Sequence, residues 1–174
     1  MMVVECKGDN MNYIKITQFD TANGIGIGTV LWVAGCEHSC PQCHNPQTHN
    51  PNNGRKFTDE TLEFLLKTLE PEYIKRLTFS GGDPLYKNNL TYVTGIAMQV
   101  KCKFPNKAIW LYTGYQFEDI NSFPILDYVD VLVDGKFMVE KKDLNLLYKG
   151  SSNQRVIDVK STLEQGKVIL YKFT

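Results

Sequence analysis

The stretch "GCEHSCPQCHN", residues 35–45, places Cys36, Cys40 and Cys43 at the spacing C-x3-C-x2-C. Thiolates are soft ligands, suited to zinc or to an iron–sulfur cluster. Structural zinc sites and electron-carrying clusters usually take four protein ligands. A set of three leaves one metal position open, and an open position is what separates catalytic metal sites from structural ones. Three thiolates can hold three irons of a [4Fe–4S] cubane, leaving the fourth iron to chelate a small molecule through an amine and a carboxylate. The alternative is a zinc site completed by His38, His44 or a distant cysteine. Cys6 and Cys102 each stand alone, and Cys102, on a predicted helix, reads as an ordinary partly buried thiol.

The rest of the composition narrows the classes. With 174 residues the chain is long enough for one domain, 1–174, with a sizeable core. Nineteen basic and 19 acidic residues balance, which argues against a nucleic-acid-binding protein or a polybasic membrane patch. No apolar run is long enough to span a bilayer. The opening "MMVVECKGDN" has no basic region and no apolar core of a signal peptide, so a cytoplasmic location is expected. Five cysteines, three of them bunched, point to ligation in a reducing compartment rather than to a disulfide framework.

The elements that position the cysteines alternate. Residues 13–19 read as a strand, and a glycine-rich turn at 23–28 leads into a buried strand from Thr29 to Ala34, directly before the cysteine loop. A helix follows at "TDETLEFLLKTLEP", with Thr58 as N-cap, Asp59 and Glu60 in the first turn, and Leu62, Leu65, Leu66 and Leu69 on one face. Further strands are expected at 74–80, 108–115, 128–137 and 167–173, with a helix over 88–105. Strands alternating with helices predict parallel α/β architecture. Four strands end in unusual chemistry, at "AGCEHSC", "SGGDP", "YTGY" and "VDGKF". Parallel sheets gather their chemistry at the carboxyl ends of the strands, so these four segments should converge on one face.

C-x3-C-x2-C after an apolar strand is similar to the signature of radical S-adenosylmethionine (SAM) enzymes. In order, "NGIG", "GCEHSCPQCHN", "LTFSGGDPLY", "WLYTGYQFEDI", "VDVLVDGKF" and "GSSNQRVIDV" resemble the glycyl-radical-activating branch of that family, the activators of anaerobic ribonucleotide reductase. The resemblance runs from about residue 12 to residue 160 without large gaps. It implies a partial (incomplete) parallel β/α barrel of the radical SAM type. It implies one [4Fe–4S] cluster on Cys36, Cys40 and Cys43, with SAM on the open iron and no catalytic side chain beyond cluster and SAM. The activity implied is reductive cleavage of SAM and formation of a glycyl radical on the large subunit of anaerobic ribonucleoside-triphosphate reductase, fed by a low-potential electron donor such as flavodoxin.

The same resemblance assigns further residues to SAM. Gly81 and Gly82 would let the backbone approach it, and Asp83 would accept from its ammonium group or from backbone; the alternative is that the segment is simply a good turn. Gln42, Cys43 and His44 would touch adenine or cluster. Lys136 would pair with the SAM carboxylate, with Asp134 orienting it or a cation, unless both simply face solvent. Arg155 is a further candidate in the polar 150–159 segment. Two positions depart from the family pattern: Gln42 stands where many radical SAM enzymes have an aromatic residue, and Ile25 and Gly28 replace the proline and arginine of "NGPGIR". A small radical SAM enzyme acting on a metabolite and a zinc-binding adaptor are the competing interpretations. The short chain leaves few residues for a metabolite pocket and favours an open site for a large protein substrate.

Overall fold

Residues 11–173 are described by a computed structural model; the expectation for Cys6 lies outside them. Seven strands form one sheet: β1 (Asn12–Asp20), β2 (Ile27–Val33), β3 (Arg55–Lys56), β4 (Ile74–Gly81), β5 (Ala108–Tyr112), β6 (Val131–Asp134) and β7 (Arg155–Asp158). Their order is β3-β1-β2-β4-β5-β6-β7. The four central strands, β2, β4, β5 and β6, run parallel, whereas β1, β3 and β7 pair antiparallel at the edges. The central strands are apolar on both faces, as strands covered on both sides must be. On β5, Ile109 and Leu111 join the main core, while Trp110 points the other way into a smaller cluster with Val131, Val133 and Val156.

Helices α1 (Asp59–Thr68) and α2 (Leu90–Lys103) carry the chain between parallel strands. Thr58 caps α1, its hydroxyl accepting from Thr61 N at 3.3 Å, and Asp59 and Glu60 meet the positive end of the helix. Leu65 and Leu69 are buried, with Leu62 and Leu66 packed at the edge of the core. Val93, Ile96, Ala97 and Val100 bury the matching face of α2. Cys102 lies on the exposed side of that helix, which corrects its expected partial burial.

Two expectations near the C-terminus change. Residues 167–173 form no strand; Leu170 makes a single antiparallel bridge to Ile157, supported by Asp158 N to Ile169 O (2.9 Å) and Tyr171 N to Val156 O (2.8 Å). The "RVID" of the polar segment is instead the edge strand β7; α3 (Phe117–Ile120) lies earlier in the chain, between β5 and β6, and β7 is followed by α4 (Val159–Gln165), capped by the Asp158 carboxylate on Ser161 N. Four residues with two apolar positions are too few to show a period against polar neighbours.

Gly28 has a structural reason. A Cβ there would lie 2.4 Å from Cγ of Arg76, its register neighbour on β4. Arg76 is fully buried and fills the space that glycine leaves. Its Nη2 donates to the Asp20 carbonyl (2.9 Å) and carboxylate (2.6 Å), and its Nη1 to Thr78 Oγ1 (2.7 Å). Burial alone would raise the Asp20 carboxyl, but hydrogen bonds from Arg76 and Asn23 hold it below the usual aspartate value. A buried guanidinium is therefore present beside position 28, delivered from the adjacent strand.

Candidate functional site

A cavity of about 630 Å³ opens where β2, β4, β5 and β6 end. All three bunched cysteines line it. Their loop begins at Gly35, whose φ of +101° lets the chain leave β2 sharply. Gly35 N donates to Thr48 O (2.7 Å) and Cys36 N to His49 O (3.1 Å), so the return limb of the loop holds its start. Ser39 and Gln42 adopt left-handed backbone, φ 50° and 53°, each immediately before a cysteine. Cys43 N closes a turn onto Cys40 O (3.1 Å), and Cys43 Sγ accepts from Asn45 N (3.4 Å). The three thiols are free, half-buried and turned to the same cavity.

Gly81, Gly82 and Asp83 form the facing wall. Gly81 has φ +110°, and a Cβ on it would stand 2.5 Å from Val33 O. On Gly82 a Cβ would stand 2.4 Å from Gly35 O. The double glycine thus lets the end of β4 press against the end of β2 and the root of the cysteine loop. Gly82 N to Val33 O and Asp83 N to Gly35 O, both 2.8 Å, lock that contact.

Asp83 is 1% exposed, and four donors surround its carboxylate: Leu85 N (2.8 Å), the Thr113 hydroxyl (2.9 Å), Gly114 N (2.9 Å) and His38 Nε2 (2.6 Å). Four donors match the lone-pair sites of a carboxylate. Of the two acceptor roles anticipated for Asp83, the structure displays the one toward its own chain. His38 is equally committed, with its ring edge-on to Tyr115 at 4.6 Å. A zinc site that used His38 would have to take Nδ1, with Nε2 held by Asp83.

The three thiols fit a thiolate-held cluster by donor chemistry and by sharing one cavity. Among the described residues no three His, Cys, Asp or Glu side chains already surround a single metal-ion position. Residues 22–157 match the family model described as "4Fe-4S single cluster domain". The chain is 46% identical over 148 residues to the anaerobic ribonucleoside-triphosphate reductase-activating protein of Enterobacteria phage T4, covering 84% of this chain and 93% of that one. It is 38% identical over 150 residues to the same-named protein of Escherichia coli strain K12 (84% and 97% covered). For that of Vibrio cholerae the identity is 40% over 148 residues (83% and 96%). The chain belongs to the family of anaerobic ribonucleoside-triphosphate reductase-activating proteins.

In this member of the activating-protein family, the surroundings of Cys36 and Cys40 favour the protonated thiol. Burial, chiefly, pushes the Cys36 thiol up to about 11, with the Asp83 carboxylate adding to it against a hydrogen bond from the His38 backbone. Burial also raises Cys40, opposed by the Phe137 backbone N–H and the nearby Lys136 charge. Ligation by thiolates therefore releases protons.

The remaining candidates of this family member divide. His44 lines the cavity with an exposed ring 5.2 Å from Phe137. Gln42 is exposed and lies off the cavity wall. Lys136 is exposed and borders a neighbouring hollow with Glu37, Tyr115 and Asp119. Asp134 is 1% exposed and accepts from Phe117 N (2.9 Å) and from the Arg155 guanidinium, which also forks onto Glu118 (3.0 and 2.7 Å). Arg155 thus ties β7 to β6 and α3. Removing it strands a buried carboxylate, and Arg155→Ala is expected to lower stability by about 2 kcal/mol in denaturant melts. Arg155→Lys should recover only part of this, since an ammonium cannot reproduce the fork. Phe137 is a site residue that the sequence left without a role; His38 entered only as an alternative zinc ligand, and no local spacing marks its pairing with Asp83.

Proposed function

We propose that the chain is a radical SAM enzyme that installs a glycyl radical on anaerobic ribonucleoside-triphosphate reductase. The observation that carries this is the shared cavity: Cys36, Cys40 and Cys43 face the Gly81–Gly82 turn across one opening at the carboxyl ends of parallel strands. Membership in the activating-protein family supports the partner, and the 4Fe-4S domain supports the cluster. When bound, the cluster would supply the electron that splits SAM into methionine and a 5′-deoxyadenosyl radical, which takes a hydrogen atom from a glycine Cα of the reductase.

This chain's own residues hold and exclude. Cys36, Cys40 and Cys43 would ligate three irons. With the Asp83 carboxylate fully occupied by its own chain, backbone groups of the Gly81–Gly82 turn are the acceptors proposed for the SAM ammonium. His44 and Phe137 line the opening on the other side. Lys136, which borders the neighbouring hollow, would pair with the SAM carboxylate, and the sheet is proposed to be the partial barrel of the radical SAM type. The electron is proposed to come from a low-potential donor of the flavodoxin kind. Mixing reduced, reconstituted protein with SAM and the reductase should give the doublet of a glycyl radical in electron paramagnetic resonance, only when both proteins are present. SAM turnover without that doublet would point to a metabolite substrate instead.

A further inference from the structure

His38 lies between Cys36 and Cys40, and its side chain is only 7% exposed. Its Nε2 sits 2.6 Å from Asp83 Oδ2, and the Tyr115 ring covers its edge. Gly114 makes room for it: a Cβ on Gly114 would fall 2.4 Å from His38 Cδ2. The adjacent Glu37 carboxylate accepts from the Tyr115 hydroxyl. Burial, and then the Glu37 carboxylate, push the Tyr115 phenol up, so it stays a donor. Among the described residues, no backbone–backbone hydrogen bond is donated by residues 37–42. Two side chains, at 37 and 38, therefore anchor this stretch of the cysteine loop, and both reach the segment that follows β5. Through Asp83 the same anchor meets the end of β4, where the double-glycine turn lies.

We propose that His38 is a positioning residue: its hydrogen bond to Asp83 fixes where the loop presents Cys36 and Cys40 to the cavity, and joins the loop mechanically to the Gly81–Gly82 turn. The cluster reading gives this its purpose, but the claim concerns the loop itself and is testable without metal. A histidine that merely fills space would affect overall stability without selectively freeing the two thiols.

The test uses metal-free, reduced protein under anaerobic conditions. Alkylation of each cysteine by iodoacetamide is followed by mass spectrometry, with exposed Cys102 as internal reference. His38→Ala should speed labelling of Cys36 and Cys40 by about ten-fold relative to Cys102, the change in an opening equilibrium when a hydrogen bond to a charged group is lost. Gly114→Ala should do the same by pushing the ring away, with no hydrogen-bonding group removed. The double variant should label no faster than His38→Ala alone, because the Gly114 methyl then has nothing to displace. His38→Gln, which keeps a donor, should restore part of the protection. Unchanged relative rates in a folded His38→Ala or Gly114→Ala protein would overturn the proposal, as would strict additivity in the double variant. Should His38→Ala fail to fold, Gly114→Ala and His38→Gln decide by the same criteria. Iron uptake by the wild-type protein is measured separately, so a failed cluster assignment would show there and leave the labelling result standing.

Discussion

Replacing any one of Cys36, Cys40 or Cys43 with alanine is expected to strip or destabilise the cluster and abolish 5′-deoxyadenosine formation. Each variant leaves two protein thiolates and an iron open to solvent. The three sulfurs share one cavity, and among the described residues no other cysteine lines it. His38 holds Asp83 through Nε2, and Cys102 sits exposed on α2, away from the cavity. Cys102→Ser should therefore retain iron, sulfide and activity, with little change in stability because the thiol is exposed. Cys6→Ser should retain cluster and activity as well. Iron and sulfide per chain, assayed beside SAM cleavage across the five variants, check this. Loss of the cluster in Cys102→Ser with retention in Cys36→Ala would contradict the assignment.

Gly82→Ala should be among the most damaging glycine changes at the site. The new methyl would meet backbone, not a movable side chain: Gly35 O at 2.4 Å and Thr48 O at 2.9 Å. Relief requires the β4 turn to part from the root of the cysteine loop, breaking Asp83 N to Gly35 O. Overpacking of this kind destabilises by about 3 kcal/mol at the upper end of its usual range. In a chain of this size that lowers Tm by roughly 6–12 °C. Because the displaced backbone carries Cys36, iron uptake should fall together with Tm in calorimetry. Gly166→Ala is a useful contrast: no atom stands within 4 Å of its added Cβ, so it carries only the strain of φ +65°. A Gly82→Ala protein with native Tm and full iron uptake would show that the close approach is not required.

Some of this was legible in the sequence and some was not, for identifiable reasons. The cysteine spacing, the buried strand ahead of it and the caps of α1 are local patterns, and local patterns survive folding. The convergence of the cysteine loop and "SGGDP" on one face followed from the parallel order of the central strands. What escaped was non-local. His38 and Asp83 are 45 positions apart, and nothing in either neighbourhood announces their pairing. Asp134 and Lys136, two residues apart, were read as a unit. β6 ends at Asp134, which turns into the interior toward Arg155, and the left-handed backbone of Gly135 (φ 94°) breaks the strand's alternation and leaves Lys136 exposed. The glycines of "SGGDP" suggest ligand approach or a simple turn, and the fold adds a contact of backbone against backbone that no local pattern announces. The replacement of arginine at position 28 became intelligible only once register placed Arg76 beside Gly28.

The measurement that bears most directly on the account is anaerobic reconstitution with iron and sulfide, reduction with dithionite, addition of SAM and quantification of 5′-deoxyadenosine. The account predicts a brown protein with one four-iron cluster per chain that forms 5′-deoxyadenosine and methionine in equal amounts. A colourless protein that retains zinc and leaves SAM intact would contradict it.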